Sequence, residues 1–328
     1  MRVPIIKGQT RRGVKVFAYR AAHVVVPVVV VCFVVWTVGA GDVLARLTAA
    51  HPGWVLAACF ACTLQMVLCS IRWQVTAARL GSRISTGSAI SEYYLSSIIN
   101  STVPGGIVGD ALRAVRARGT GGLERSAHAV LIERLAGQIA LGATLLIGLL
   151  VSGRPALQAS GAIALGGALL LISLALALRG RLPAWLVPAL ARRFVSAMGE
   201  SWLGARTAAL QVALSAFIVA ANLAIFAFSA RAVGAGIGFP EVLFAVPLIL
   251  AAMLIPFSVA GWGYREGAAA AVFPLIGGSA AAGVSASVVF GAVILVASLP
   301  GLAVMFRRRR LEAAASPDAG QPRLDPAE

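Results

Sequence analysis

The chain is an almost unbroken succession of apolar runs separated by short blocks of arginine: Val24–Gly41, Trp54–Ile71, Ala127–Val151, Leu157–Leu178, Thr207–Ala230, Glu241–Phe257 and Ala280–Phe306. A helix needs about 20 apolar residues to cross a hydrocarbon core, and fewer where it is broken and sheltered by neighbours. These seven segments have that length or apolarity and take up most of the chain. Only 12% of the residues are charged, with mean hydropathy +0.89, whereas soluble domains are roughly a quarter charged. The expected fold is therefore all-α, a polytopic integral membrane protein. It has about seven to eight transmembrane helices, some re-entrant or broken, and a possible internal repeat of two halves.

The arginine blocks set the expected topology through the bias of basic residues toward the cytoplasm. Arg2, Lys7, Arg11, Arg12, Lys15 and Arg20 place residues 1–23 inside, as a basic N-terminal segment. Arg46 is the one basic residue of the stretch Asp42–Gly53, whereas Arg72, Arg79 and Arg83 follow the second run and return the chain to the cytoplasm. Arg179, Arg181, Arg192, Arg193 and Arg206 mark a further inside segment, in which Leu186–Trp202 reads as an amphipathic interfacial helix. Arg307–Arg310 ends the membrane domain 24–306 and keeps the C-terminus inside, leaving 307–328 as a tail with disorder expected from Leu311. A bacterial-type inner membrane is the expected location. Val24–Gly41 ends without a small-residue cleavage site and reads as a retained helix, not a signal sequence.

The net charge of +16 lies in blocks between apolar runs, so no nucleic-acid partner is expected. Cys32, Cys59, Cys62 and Cys69 all sit inside apolar runs, where cysteine acts as a small hydrophobe, and neither disulfide nor metal is expected from them.

Residues 85–118 fit no ordinary span. The apolar part, Ile90–Val103, is short and holds Glu92, Asn100 and several serines, then breaks at Pro104-Gly105-Gly106 before Arg113, Arg116, Arg118 and Arg125. A re-entrant hairpin is expected. A second interruption resembles it: Pro104 to Gly109-Asp110 with Arg113, and Pro256 to Gly261 with Arg265-Glu266, each combine a proline, a glycine five residues later and charges of both signs. Proline removes a backbone donor and glycine permits unusual backbone conformations, so each helix opens there. Open backbone at membrane depth is tolerated only when buried in protein or lining a wet cavity.

A charged side chain at the centre of a membrane helix costs roughly 2.5–3.5 kcal/mol, so Asp110, Arg113, Glu133, Arg134, Arg265 and Glu266 need partners or a ligand. Paired interruptions point to a transporter's binding site, where helix N-termini and charges meet a polar or anionic group such as a lipid phosphate. The plainer alternative, interfacial loops with charges in water, is preferred for Arg116, Arg118 and Arg125. Glu133-Arg134 stays open between a structural ion pair and a site.

At these residues the sequence resembles the transmembrane region of the lysylphosphatidylglycerol synthases, a flippase-like membrane family also found as stand-alone proteins. The matching pieces are Arg72-Trp73, Asn100 with Val103-Pro104-Gly105-Gly106, Gly109-Asp110 with Arg113, Glu133-Arg134-Leu135, and Pro256 with Gly261-Trp262-Gly263 and Arg265-Glu266. The resemblance implies a helical membrane domain with re-entrant elements that moves or binds a polar-headed lipid: a phospholipid, an aminoacyl-phospholipid, or a polyprenyl-linked or hopanoid lipid. In that family the synthase activity resides in a soluble C-terminal aminoacyl-transfer domain, which is not expected in the 22 residues after Phe306. The candidate substrate-binding residues are Arg72, Asn100, Pro104, Gly105, Gly109, Asp110, Arg113, Glu133, Arg134, Gly261, Gly263, Arg265 and Glu266.

The leading expectation is a lipid translocase or lipid-binding transporter in which Arg113 and Arg265 hold the head group and Asp110, Glu133 and Glu266 position the arginines. Trp73, Trp262 and Tyr264 are expected at head-group depth. An intramembrane lipid-modifying transferase using Asp110 or Glu266 as general base is the second reading. Against it, His23, His51 and His128 are scattered and no nucleophile is paired with a base, so no catalytic residue or cofactor is assigned. An accessory subunit of a lipid or glycolipid biosynthetic enzyme is the third. The expected partner is a membrane lipid, with a lipid-modifying enzyme or a second copy of the chain as further candidates.

Overall fold

The computed structural model describes residues 29–103, 106–119, 121–152, 186–255 and 259–315. All the regular structure among them is helical: α1 (Val29–Val38), α2 (Ala40–Thr48), α3 (Pro52–Arg79), α4 (Thr86–Thr102), α5 (Val108–Arg116) and α6 (Gly122–Ser152), then α7 (Leu186–Trp202), α8 (Ala205–Ala232), α9 (Phe239–Ala251) with a 3₁₀ turn at Ala252–Leu254, α10 (Tyr264–Leu275), α11 (Ala280–Ser298) and α12 (Pro300–Ala315). Four helical stretches are long and apolar enough to cross a membrane, Pro52–Arg79, Gly122–Ser152, Ala205–Ala232 and Ala280–Arg308; the bent pair α1 and α2 makes a fifth if it counts as one span. The protein is a multi-pass helical membrane protein. The expected span Leu157–Leu178 lies outside the described residues.

The helix starts follow local chemistry. Pro52 opens α3 where its missing N–H costs nothing, and the preceding His51 accepts a bond from Gly53 N at 3.2 Å. Ser85 and Ser279 cap α4 and α11 by accepting from Ser88 N (3.3 Å) and Ala282 N (3.1 Å).

Several boundaries differ from expectation. The chain does not leave its first helix at Gly41: it turns by 96° at Gly39, whose φ of +108° disfavours any other residue, and continues as α2 against α11, burying Val43. Arg72 and Trp73 do not follow the second span but lie well inside α3, because a buried partner replaces the water that an arginine normally ends a span to reach. After the second break the chain re-enters helix at Tyr264, so that Arg265 and Glu266 lie in the first turn of α10. Residues 311–315, placed in the tail, continue α12, and residues 316–328 lie outside the described residues.

The α3 and α8 helices run antiparallel and are pinned along their length. His51 N donates to Ala232 O (2.8 Å) at one end, and Arg79 Nη2 donates to Leu203 O (2.8 Å) at the other. Between them Gln211 Nε2 reaches Thr76 Oγ1 at 3.0 Å. The core joins α3, α8, α9, α10 and α11 around Phe226, Phe244, Phe273 and Phe290. The opposite faces are as apolar as the core, with Phe60 73% and Leu150 81% exposed, which suits a surface covered by lipid and not by water.

Lipid tails are as apolar as leucine, so helix association must come from close packing and interhelical polar contacts. Gly148 of α6 lies against the backbone of Leu243 and Phe244 of α9, where an added Cβ would sit 2.6–2.7 Å from main-chain atoms. The α4–α5 hairpin uses the same device: α5 packs on α4, with Gly109 against Ser96 O and Gly109 N donating to Asn100 Oδ1 at 2.7 Å.

Candidate functional site

Both breaks are followed by a short helix whose third residue is a buried carboxylate. In α5 this is Asp110, in α10 Glu266. A carboxylate in the first turn meets unpaired N–H groups and the positive end of the helix dipole.

Around Asp110 three arginines and a second carboxylate assemble. Asp110 Oδ1 accepts from Ser96 Oγ (3.0 Å) and pairs with Arg113 Nη2 (3.0 Å). Its Oδ2 accepts from Asn100 Nδ2 (3.0 Å) and pairs with Arg134 Nη2. Glu133 of α6 lies between Arg72 of α3 (2.9 Å) and Arg113 (3.3 Å), all three at most 3% exposed. The Arg72 guanidinium also donates to Glu133 O (3.0 Å) and Ser215 Oγ (3.1 Å), so one cation ties α3, α6 and α8 at a common level. The Arg113 guanidinium is held between the rings of Trp73 and Tyr93, each centroid 4.7 Å away, which offsets part of its desolvation.

The second cluster is built on α10. Gly261 and Gly263 take φ of +79° and +88°, conformations that disfavour L side chains, and so aim the start of α10 inward. Glu266 Oε2 accepts from Gly263 N (2.6 Å), closing the helix start. Its Oε1 accepts from Arg265 Nη2 (2.6 Å) and from Ser287 Oγ of α11 (2.9 Å). Arg265, 1% exposed, is also held by Ser287 Oγ at 2.8 Å and packs over Trp262 and Phe290 at 5.0 and 5.2 Å. Gly291 makes room for it: a Cβ there would run into the guanidinium and lie 2.8 Å from Trp262.

One cavity of about 450 Å³ reaches both clusters. Arg72, Asn100, Asp110, Glu133, Arg134, Gly261 and Arg265 line it. Arg113, Gly109, Gly263 and Glu266 stand behind the wall and act through the residues they hold. Pro104 and Gly105 lie outside the described residues, as does Pro256. Head-group contact was expected from Arg113, but the pairing with Asp110 and Glu133 and the two flanking rings hold it out of the cavity wall. Its neighbour Arg134, whose side chain is 47% exposed, lines the cavity instead.

Trp73, fully buried, packs on the Arg113 guanidinium, and Trp262 packs on that of Arg265. Arg116 is not simply in water either: its Nε lies 2.6 Å from Glu92, which Arg308 of α12 also meets at 2.6 Å. Ser96, Ser215, Ser287 and Tyr93 escaped sequence reasoning, as did the cavity-lining amides Gln65, Gln138 and Asn222. For Gln65 the signal was present: Cys62, Gln65, Met66, Cys69 and Arg72 repeat at one-face helical spacing.

Residues 20–301 match the family model described as the lysylphosphatidylglycerol synthase TM region. The chain belongs to this family. No individual curated protein matches it. The match to the lysylphosphatidylglycerol synthase TM region runs through both breaks and every residue of both clusters. Membership connects the chain to membrane-lipid function.

Proposed function

We propose that this lysylphosphatidylglycerol synthase TM region is a lipid translocase, or a lipid-binding transporter, for a polar-headed membrane lipid. The observation that carries the reading is a single cavity within the helical bundle whose wall contains Arg72 of α3, Arg134 of α6 and Arg265 of α10, and which reaches both helix breaks through Asp110 and Gly261. The cavity would admit the head group while the acyl chains stay in lipid. Arg134, held by one carboxylate and half-exposed, is the cation best placed to meet a phosphate oxygen. The broken helices mark where the wall rearranges as the head group passes. In this reading the protein sits in a bacterial-type inner membrane with both termini cytoplasmic, as the arginine blocks imply.

The test is reconstitution of the purified protein in vesicles containing an acyl-labelled fluorescent phospholipid, with dithionite quenching of the outer leaflet. Protein-containing vesicles should equilibrate the label across the bilayer. Arg134→Gln should slow this by about tenfold, the loss of one charge-assisted hydrogen bond. Label movement no faster than in protein-free vesicles would overturn the proposal.

A further inference from the structure

The cavity holds a second set of polar groups that the two ion clusters do not use. Gln65 of α3, Gln138 of α6 and Asn222 of α8 all line it, and each sits in a long apolar helix. In a membrane bundle such amides ordinarily bond across to a neighbouring helix. Gln65 and Gln138 make no hydrogen bond to another described residue. Asn222 gives its Nδ2 to Ile218 O (3.0 Å) within its own helix, so the group it can offer a ligand is the acceptor Oδ1.

Their levels follow from the chain. The Arg72 contacts with Glu133 and Ser215 pin α3, α6 and α8 together. From that pin, toward the end where His51 N meets Ala232 O, Gln65 is seven residues along α3, Gln138 five along α6 and Asn222 seven along α8. At 1.5 Å rise per residue these are offsets of about 10, 7 and 10 Å. Three helices therefore place uncharged amides in one layer, next to the charged layer and on the same wall.

The charge of the wall narrows what fits. Glu266 neutralises Arg265, and in the other cluster three guanidinium groups, Arg72, Arg113 and Arg134, meet two carboxylates, Asp110 and Glu133, which leaves one positive charge. Both carboxylates are taken by arginines, and the amide layer contains no anion to meet an ammonium.

Building on the function proposed above, we infer that Gln65, Gln138 and Asn222 form a neutral subsite that reads hydroxyl groups on the lipid head. The ligand class is a phosphodiester lipid with one negative charge whose head continues in hydroxyls, as glycerol or a sugar does. The phosphate meets the charged layer and the hydroxyls meet the amides. A head carrying an additional ammonium group, as an aminoacylated lipid does, finds no partner in the amide layer.

The test uses the full chain in vesicles and four probes, each with a fluorescent label on its lipid chain. Phosphatidylglycerol and a polyprenyl phosphoglucose carry hydroxyls on the two kinds of lipid chain, phosphatidylmethanol has the same charge and none, and lysylphosphatidylglycerol adds ammonium groups. At least one hydroxyl-bearing probe should move about tenfold or more faster than phosphatidylmethanol, because amides built for hydroxyls are left unpaired by a head that lacks them. The faster of the two identifies the lipid chain. In Gln65→Leu/Gln138→Leu the ratio of the hydroxyl-probe rate to the phosphatidylmethanol rate should fall to about one, with an unchanged melting temperature in detergent showing that the variant is folded. Equal native rates for phosphatidylmethanol and both hydroxyl probes, an unchanged preference in the double variant, or fastest movement of the lysyl lipid would each overturn the inference and leave lipid translocation standing. If no probe moves with the native protein, the function proposed above fails, and the subsite falls with it.

Discussion

Replacing Glu133 by Gln should destabilise the whole bundle, because one carboxylate neutralises two arginines that have no access to bulk water. Glu133 lies 2.9 Å from Arg72 and 3.3 Å from Arg113, with all three side chains at most 3% exposed. At an effective dielectric constant of about 20, Coulomb's law gives about 6 and 5 kcal/mol for the two contacts. Most of that only restores the hydration lost on burial, and the net cost of deleting one partner of such a pair is about 3–5 kcal/mol. The amide keeps the shape and can still accept one hydrogen bond, so the lower end, about 3 kcal/mol, is expected. At roughly 2–4 °C per kcal/mol for a chain of this size, the melting temperature in detergent should fall by about 6–12 °C. Adding Arg72→Met to Glu133→Gln should recover part of the loss, because a pair removed together leaves less uncompensated charge than one removed alone. A Glu133→Gln protein melting within a degree of the native one would refute the pairing, as would a double variant less stable than the sum of the two single changes.

Arg113→Lys should cost about 2 kcal/mol, a loss of several degrees in melting temperature, since an ammonium cannot stack flat between Trp73 and Tyr93 at 4.7 Å from each. Equal stability would show that the stacking contributes nothing. Gly148→Leu should open the α6–α9 contact at the Leu243 and Phe244 backbone and cost about 1–3 kcal/mol, read as a lower denaturation midpoint, whereas Gly142→Leu, with open space around it, should be neutral. Glu92→Gln should free Arg116 and Arg308 together. Both pairs are partly solvated and worth about 0.5–1 kcal/mol each, so hydrogen exchange in α12 should rise several-fold with little change in global melting. Unchanged exchange would mean that α12 is held only by packing such as that of Gly301 on Tyr94.

Much of this architecture is written in the sequence, though unevenly. Apolar runs give the long helices directly, because the bilayer demands length and internal hydrogen bonding whatever the tertiary contacts. The coincidence of proline, glycine and paired charge locates both breaks and predicts that Asp110 and Glu266 are sheltered. Arg72 was harder to place. An arginine near the end of an apolar run reads equally as a topology signal or as a buried cation, and only Glu133, 61 residues later, decides between them. The same limit applies to Arg113 and Arg134. Local sequence gives both the same partner, Asp110, and the rings of Trp73 and Tyr93 then determine which one is enclosed and which lines the cavity. The bend at Gly39 left no trace in the apolar pattern, since the helices on either side carry it across the break.

The two clusters also explain how a bundle can keep seven charged side chains in its interior. Each carboxylate is fixed in place before it meets an arginine: Asp110 by Ser96 and Asn100 at a helix start, Glu266 by Gly263 N and Ser287, and Glu133 by its position on a continuous helix. Fixed anions hold the long arginine side chains in single positions, which lowers the ordering cost that a flexible cation would meet on binding. Because four guanidinium groups share three carboxylates, the balance cannot close within the protein. Arg134, with its single carboxylate contact and half-exposed side chain, is where the remaining charge is available to a ligand. An anionic head group would complete the set, and the helix breaks that carry Asp110 and Glu266 are the elements through which its arrival would be felt.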